Sequence, residues 1–313
     1  MSGRFIPPFQ NKPLGSLILL FTGVSIISFS LLSIIAPFLM KWLFGISSFN
    51  MASLMINPDN QQLIGALKLM QFIQAIGLFI LPPFVMAILT DKEPMKWLGL
   101  HKFNQTVPIL IFACLMMLCA QPFINWMASA NELIPVSDWM LQAEKQTQQL
   151  TKAFLTMDDY GDLLVNLLLV GLLPGIGEEL FFRGVIQPLF YRLSNNHHLA
   201  IWSTGFIFSA MHMQFLGFIP RMLLGVGLGY IRYWTNSIWA SIVAHTLNNA
   251  LAVYLYFLVQ HQMLTPRAEG IGSERGDLLW VLVSAFFTLL FLSLIQAWAA
   301  KDQNQGNISK LGG

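Results

Sequence analysis

The sequence predicts an all-α, polytopic membrane protein of about eight transmembrane helices, and three observations carry that expectation. The chain of 313 residues is 55% hydrophobic and only 10% charged, with a mean hydropathy of +0.62. Soluble domains are roughly one quarter charged, so too little polar surface is left to coat a soluble particle of this size. The apolar residues are gathered into runs close to the about 20 residues that cross a bilayer core. Polar stretches of the kind that end helices separate the runs, such as Asp91 to Pro94 and Ser194 to His198.

Taken in order, Met1 to Gly15 is polar, and an uncharged apolar run follows from Ser16 to Met40. A cleavable signal has an apolar core of only about 7 to 15 residues, so this run reads as the first span, Ser16 to Trp42, retained as an anchor. The second span is placed at Leu69 to Thr90, with Pro82 and Pro83 kinking it. The third, Val107 to Met127, contains Cys114 and Cys119, whose spacing points them to different sides of a helix and rules out an unstrained disulfide. Ala128 to Asp162 is a polar insertion with six acidic residues against Lys145 and Lys152, read as an amphipathic or extramembrane helix. Four further spans follow at Leu163 to Leu193, Leu199 to Leu216, Phe218 to Trp234 and Ile238 to Gln260, and the eighth at Leu278 to Ala299. The tail from Lys301 reads as a short disordered end.

The net charge of +2 and the scattered basic residues exclude a nucleic-acid partner and a polybasic lipid anchor, leaving the lipid bilayer as the surrounding partner. With the N-terminus in the cytoplasm, the inner side collects Arg4, Lys12, Lys92, Lys96, Lys102, Arg192, Arg232, Lys301 and Lys310 and the outer side Lys41, Lys145, Lys152, Arg221, Arg267 and Arg275, and nine against six favours both termini inside. Gly225, Gly227 and Gly229 have no strand before them and read as packing residues. His197 and His198 read as solvated loop residues.

Six polar residues lie where a bilayer tolerates few: Glu178, Glu179 and Arg183 in the fourth span, His212 in the fifth, and His245 with Asn249 in the seventh. A charged side chain near the bilayer centre costs about 2.5 to 3.5 kcal/mol on insertion scales, so such a group needs partners or a purpose. Pro174, Gly175 and Gly177 are expected to kink or interrupt the fourth helix, and if a helical turn restarts there the two glutamates lie near its N-terminus. Glu179 and Arg183 are four apart and share a face, which suits an ion pair, while Glu178 is turned about 100° away and reads as a free general base. His212 beside Glu178 would orient an attacking water, and His245 with Asn249 would donate to an oxygen that becomes negative. Each element alone has a plain structural reading, as packing ion pair, core histidine or interhelical hydrogen bond; their joint occurrence points to hydrolysis.

The patterns EELFFR (Glu178 to Arg183), FSAMH (Phe208 to His212) and HTLNN (His245 to Asn249) together resemble the EExxxR, FxxxH and HxxxN motifs of the CAAX-protease and bacteriocin-processing (Abi) family of intramembrane endopeptidases. The resemblance spans roughly Asp162 to Tyr256. It implies helices around a conical membrane-embedded cavity and hydrolysis of peptide bonds in membrane-associated peptide or protein substrates. By motif position it makes Glu178 and His212 the water-activating pair, His245 and Asn249 the oxyanion donors, and Glu179 and Arg183 their supports. It divides the chain into an N-terminal membrane region (1–160), a catalytic core (161–260) and a last helix with its tail (261–313). Glu178, His212 and His245 also make a two-histidine, one-carboxylate set of the kind zinc takes; the chain lacks HExxH, and zinc and a metal-free water both stay open. A proton-coupled transporter and a non-proteolytic immunity or binding protein are the competing classes, the first opposed by the lack of an internal repeat. Short loops and a compact N-terminus suit a bacterial cytoplasmic membrane.

Overall fold

A computed structural model describes residues 6–46, 60–102 and 106–311; it is 81% helical, with no strand among the described residues. Its principal helices are α1 (Leu14–Phe44), α2 (Gln61–Thr90), α3 (Thr106–Asn131), α4 (Asp138–Leu155), α5 (Tyr160–Ser194), α6 (His197–Ala210), α7 (Phe218–Thr235), α8 (Trp239–Gln260) and α9 (Leu278–Leu311). Their ends carry local signals. Gly45 closes α1 in the left-handed region at φ 71°, Asn60 caps α2 through the Gln62 and Leu63 amides, and Asp159 caps α5 through Gly161 and Asp162.

Among the described residues six helices are long and apolar enough to cross a membrane: α1, α2, α3, α5, α8 and the Arg275–Lys301 stretch that holds most of α9. The chain is an integral membrane protein. The expected fifth and sixth spans fall short of that measure. At 14 residues α6 is about 21 Å long, well under a hydrocarbon core of about 30 Å, and α7, at 18 residues, contains Arg221 and Arg232. One other expectation changes. His197 and His198 open α6 behind the Asn196 cap instead of lying in a loop; His197 stacks on Tyr191 and His198 Nδ1 lies 2.8 Å from the Tyr230 hydroxyl. Of the basic residues used for orientation, Arg4 lies outside the described residues.

Prolines leave a common signature. Ala75–Ile80 in α2, and Leu167–Leu172 and Phe182–Ile186 in α5, are wound as π-helix, and each stops shortly before a proline: Pro82, Pro174 and Pro188. A proline supplies no N–H to the carbonyl four residues earlier and crowds it; a wider turn absorbs the misfit without breaking the helix. The break expected at Pro174 to Gly177 is therefore absent. α5 runs through, and the glutamates sit in mid-helix, not at an exposed N-terminus.

α5 is the central helix. In its most apolar stretch 44% of the residues are buried, against 11% for α1 and 17% for the last helix, whose outward Leu19, Ile26, Phe38, Leu279, Leu282 and Leu289 form apolar surfaces suited to lipid. Leu180, Phe181, Phe182 and Val185 of α5 build one core with Leu17 and Phe21 of α1 and Met86 of α2. A second core joins α3, α7, α8 and α9 through Ile109, Met116, Leu228, Ala244 and Ile295.

Two helix crossings are close because glycines line them. Gly171 and Gly175 of α5 lie against Ala250 and Thr246 of α8; a Cβ on Gly171 would stand 3.3 Å from the Ala250 Cβ, and one on Gly175 would stand 2.9 Å from the Thr246 backbone. Gly225 of α7 faces the Gly205 Cα of α6 at 3.1 Å from where its own Cβ would be. Packing thus accounts for Gly225, and for Gly229 against Ile201 and Gln187, whereas Gly227 meets nothing within 4 Å.

Candidate active site

The α5–α8 crossing brings the polar residues together. Arg183 and Glu179 lie one helical turn apart on the buried side of α5, and their side chains are fully removed from solvent. Arg183 Nη1 donates to Glu179 Oε1 at 2.6 Å, and Nη2 donates to the Gly225 carbonyl of α7 at 2.6 Å. One turn on, Gln187 Nε2 donates to the Gly229 carbonyl at 3.1 Å, so two residues four apart on α5 read two carbonyls four apart on α7. The glycines leave those carbonyls accessible. Removing such ions from water costs several kcal/mol each, offset in part where further hydrogen bonds form; the Gly225 carbonyl supplies one here, while Arg183 Nε and Glu179 Oε2 are buried with no partner among the described residues.

From α8, His245 Nδ1 lies 2.9 Å from the same Glu179 oxygen. A carboxylate only accepts, so the imidazole N–H donates through Nδ1. The ring's other nitrogen then faces Glu178, with Nε2 3.8 Å from Glu178 Oε2. Arg183, Glu179 and His245 thus form one hydrogen-bonded chain from the protein interior, and Glu178 stands beyond its end at the cavity, in contact with the ring but not hydrogen-bonded to it. Glu178 points away from its neighbour, as the 100° helical step requires.

His212 arrives by a different route. It lies past the end of α6, in a turn and not inside an apolar span, and its Nδ1 is 2.8 Å from the Phe208 carbonyl. A carbonyl only accepts, so Nδ1 carries the proton and Nε2 is the basic nitrogen. Phe208 is the hub: its buried ring lies edge-on to Phe182, His212 and His245 at centroid separations of 5.2, 5.1 and 5.6 Å, and Arg183 Cζ stands 5.1 Å from its centre.

Glu178, His212, His245 and Asn249 all line one cavity of about 240 Å³, while Glu179 and Arg183 stand behind its wall. His212 and His245 both line the cavity with Glu178, and the His245 Nε2 stands 3.8 Å from the Glu178 carboxylate. Among the described residues no three His, Cys, Asp or Glu side chains are grouped to hold a metal ion.

Other cavity residues escaped the sequence reading. Arg221, counted there as an outer-loop cation, is in the first turn of α7; it lines the cavity and donates from Nη2 to Gln214 Oε1 at 2.6 Å. Asn248 also lines it, hydrogen-bonded to Gln121 of α3. The turn bearing His212 is held from outside by Asn131, which donates to the Phe215 carbonyl at 2.8 Å and accepts from the Ile219 amide at 2.9 Å, and by Glu144 of the amphipathic α4, which accepts from the Leu216 amide at 3.3 Å. The available signal for Gln121 and Asn248 was an amide inside an apolar run; for Asn131 and Glu144 there was none, since nothing in their neighbourhood points to a loop over 70 residues away.

Comparison with known families gives one match: residues 160–251 fit the family model of the type II CAAX prenyl endopeptidase Rce1-like proteins. No curated protein and no solved structure matches the chain.

Proposed function

We propose, from the match of residues 160–251 to the Rce1-like family model, that the chain is an intramembrane endopeptidase of the CAAX-protease family whose water nucleophile is activated by Glu178. The observation that carries the proposal is the convergence of Glu178, His212, His245 and Asn249, from three separate stretches of chain, on one cavity.

In the proposed reaction Glu178 takes a proton from water as the oxygen attacks the substrate's amide carbon, and His212 Nε2 orients that water. The carbonyl oxygen becomes negative and is held by N–H groups of His245 Nε2 and Asn249 Nδ2. Glu179 and Arg183 fix the His245 ring from behind, so that a doubly protonated imidazole donates to Glu179 from Nδ1 and to the oxyanion from Nε2. Glu178 then delivers its proton to the leaving nitrogen, the C–N bond breaks, and an acid and an amine result. No step passes through a metal.

The substrate is a membrane-associated peptide or protein, reached from the bilayer around α5. The charge distribution supports a bacterial cytoplasmic membrane with both termini inside. The test is cleavage of a membrane-peptide library by the purified chain and by Glu178→Gln, read by mass spectrometry. Cleavage lost in a folded variant is the expected result. A Glu178→Gln protein that cleaves at the parent rate overturns the mechanism.

A further inference from the structure

Three side-chain amides run in single file from α3 to α5. Gln121 Nε2 donates to Asn248 Oδ1 at 3.2 Å, Asn248 Nδ2 donates to Asn249 Oδ1 at 3.2 Å, and Asn249 Nδ2 donates to the Val170 carbonyl at 3.3 Å. Backbone carbonyls pin both ends. Gln121 Nε2 also donates to the Met117 carbonyl at 3.4 Å, and Val170 closes the far end. A carbonyl can only accept, so both anchors demand an NH2 group, and each amide between them must point its nitrogen in the same direction.

The Val170 anchor exists because of Pro174. Val170 is four residues before that proline, which has no N–H to give it, and it lies in the π-wound stretch Leu167–Leu172. With Oδ1 taken by Asn248 and one N–H on Val170, Asn249 keeps a second N–H, and Asn249 lines the cavity that Glu178 lines. An asparagine without such constraints turns over at little cost and offers its oxygen instead, a group that repels an oxyanion.

We infer that Gln121 and Asn248 are positioning residues that set the polarity of the Asn249 amide, so that the cavity is offered an N–H donor and not a carbonyl oxygen. The inference rests on Asn249 being an oxyanion donor, as proposed above. It assigns a role to Gln121, which lies outside the matched residues 160–251.

The test uses the full chain in phosphatidylcholine vesicles and the library peptide it cleaves fastest, carrying a fluorophore and quencher on either side of the scissile bond. Asn248→Asp presents an acceptor to Gln121 and to Asn249 alike, which turns the Asn249 oxygen toward the cavity. The expected loss in kcat is at least that of Asn249→Ala, about 100-fold to 1000-fold, with KM little changed. Gln121→Leu releases one anchor and lowers kcat less. The decisive readout is coupling: in an Asn249→Ala background both substitutions should have no further effect, because they act through that residue. If either lowers kcat equally in both backgrounds, the relay is wrong and the role of Asn249 stands. If Asn249→Ala leaves kcat unchanged, or the full chain cleaves no library peptide, the relay falls together with the reading beneath it. Thermal unfolding establishes that each variant folds, and should Asn248→Asp not fold, the Gln121→Leu cycle decides alone.

Discussion

Gly175→Ala perturbs the site through a residue that takes no part in its chemistry. A Cβ there would overlap Thr246 Oγ1, which rotation can relieve, and would stand 2.9 Å from the Thr246 Cα and N, which it cannot. Ordinary contact begins near 3.4 Å, so α8 must retreat by about 0.5 Å. Thr246 sits between His245 and Asn249, and both move with it. The bond from His245 Nδ1 to Glu179, now 2.9 Å, stretches toward the length at which little of it survives, and that from Asn249 to Val170, already 3.3 Å, is lost. Overpacking of this kind costs about 1 to 3 kcal/mol of stability. A misplacement of about 1 Å in a catalytic array costs on the order of 100-fold in rate, so half that distance should cost about 10-fold. Gly171→Ala, at 3.3 Å from the Ala250 Cβ, should do less. Gly227→Ala meets nothing within 4 Å and serves as the control, neutral or slightly stabilising. Thermal unfolding and initial cleavage rates on the same preparations give both numbers. A Gly175→Ala protein that matches the parent in both would show that this crossing does not set the site.

Three more outcomes are expected. Arg183→Met leaves the Glu179 carboxylate buried without its cation and should cost about 3 to 5 kcal/mol, with part of the loss recovered in Glu179→Gln/Arg183→Met; a single variant as stable as the parent in thermal unfolding contradicts the buried pair. Asn131→Ala strips partners from the Phe215 carbonyl and the Ile219 amide and loosens the turn that bears His212, so kcat in the peptide assay should fall more than KM rises; a change confined to KM would place Asn131 in substrate binding instead. Exhaustive dialysis against a chelator should leave the cleavage rate unchanged, and activity that is lost and then restored by zinc would require a metal in the mechanism.

How much of this could be read beforehand depends on range. The Glu179–Arg183 pair and the divergence of Glu178 follow from helical spacing, and the structure forms the pair on the buried side of α5. Phe208 with His212 is also a spacing of four, although His212 lies beyond the end of its helix. What spacing cannot supply is which helix meets which. That His245 bridges Glu179 and Glu178 depends on Gly171 and Gly175 admitting α8, and those glycines read equally well as helix breakers. The same ambiguity placed a break at Pro174, where the chain widens a turn instead. The apolar run Leu199 to Leu216 reads as one span, but α6 stops at Ala210 because the turn at Met211–Gly217 is held by Asn131 and Glu144 from a distant stretch.

The widened turns of α5 make the site depend on a residue count. An α-helix advances about 100° per residue, and a π turn stores one residue more than an α turn. Deleting Leu168 or Leu169 from the widened stretch Leu167–Leu172 would let it close toward regular α-helix, with only the carbonyl four residues before Pro174 lacking its N–H. It would also rotate everything before it by about 100° relative to Glu178, carrying the Val170 carbonyl off Asn249 and Gly171 off Ala250. Such a shortened chain would keep all seven motif residues and a continuous helix, yet its carboxylate and its amide would no longer share a cavity.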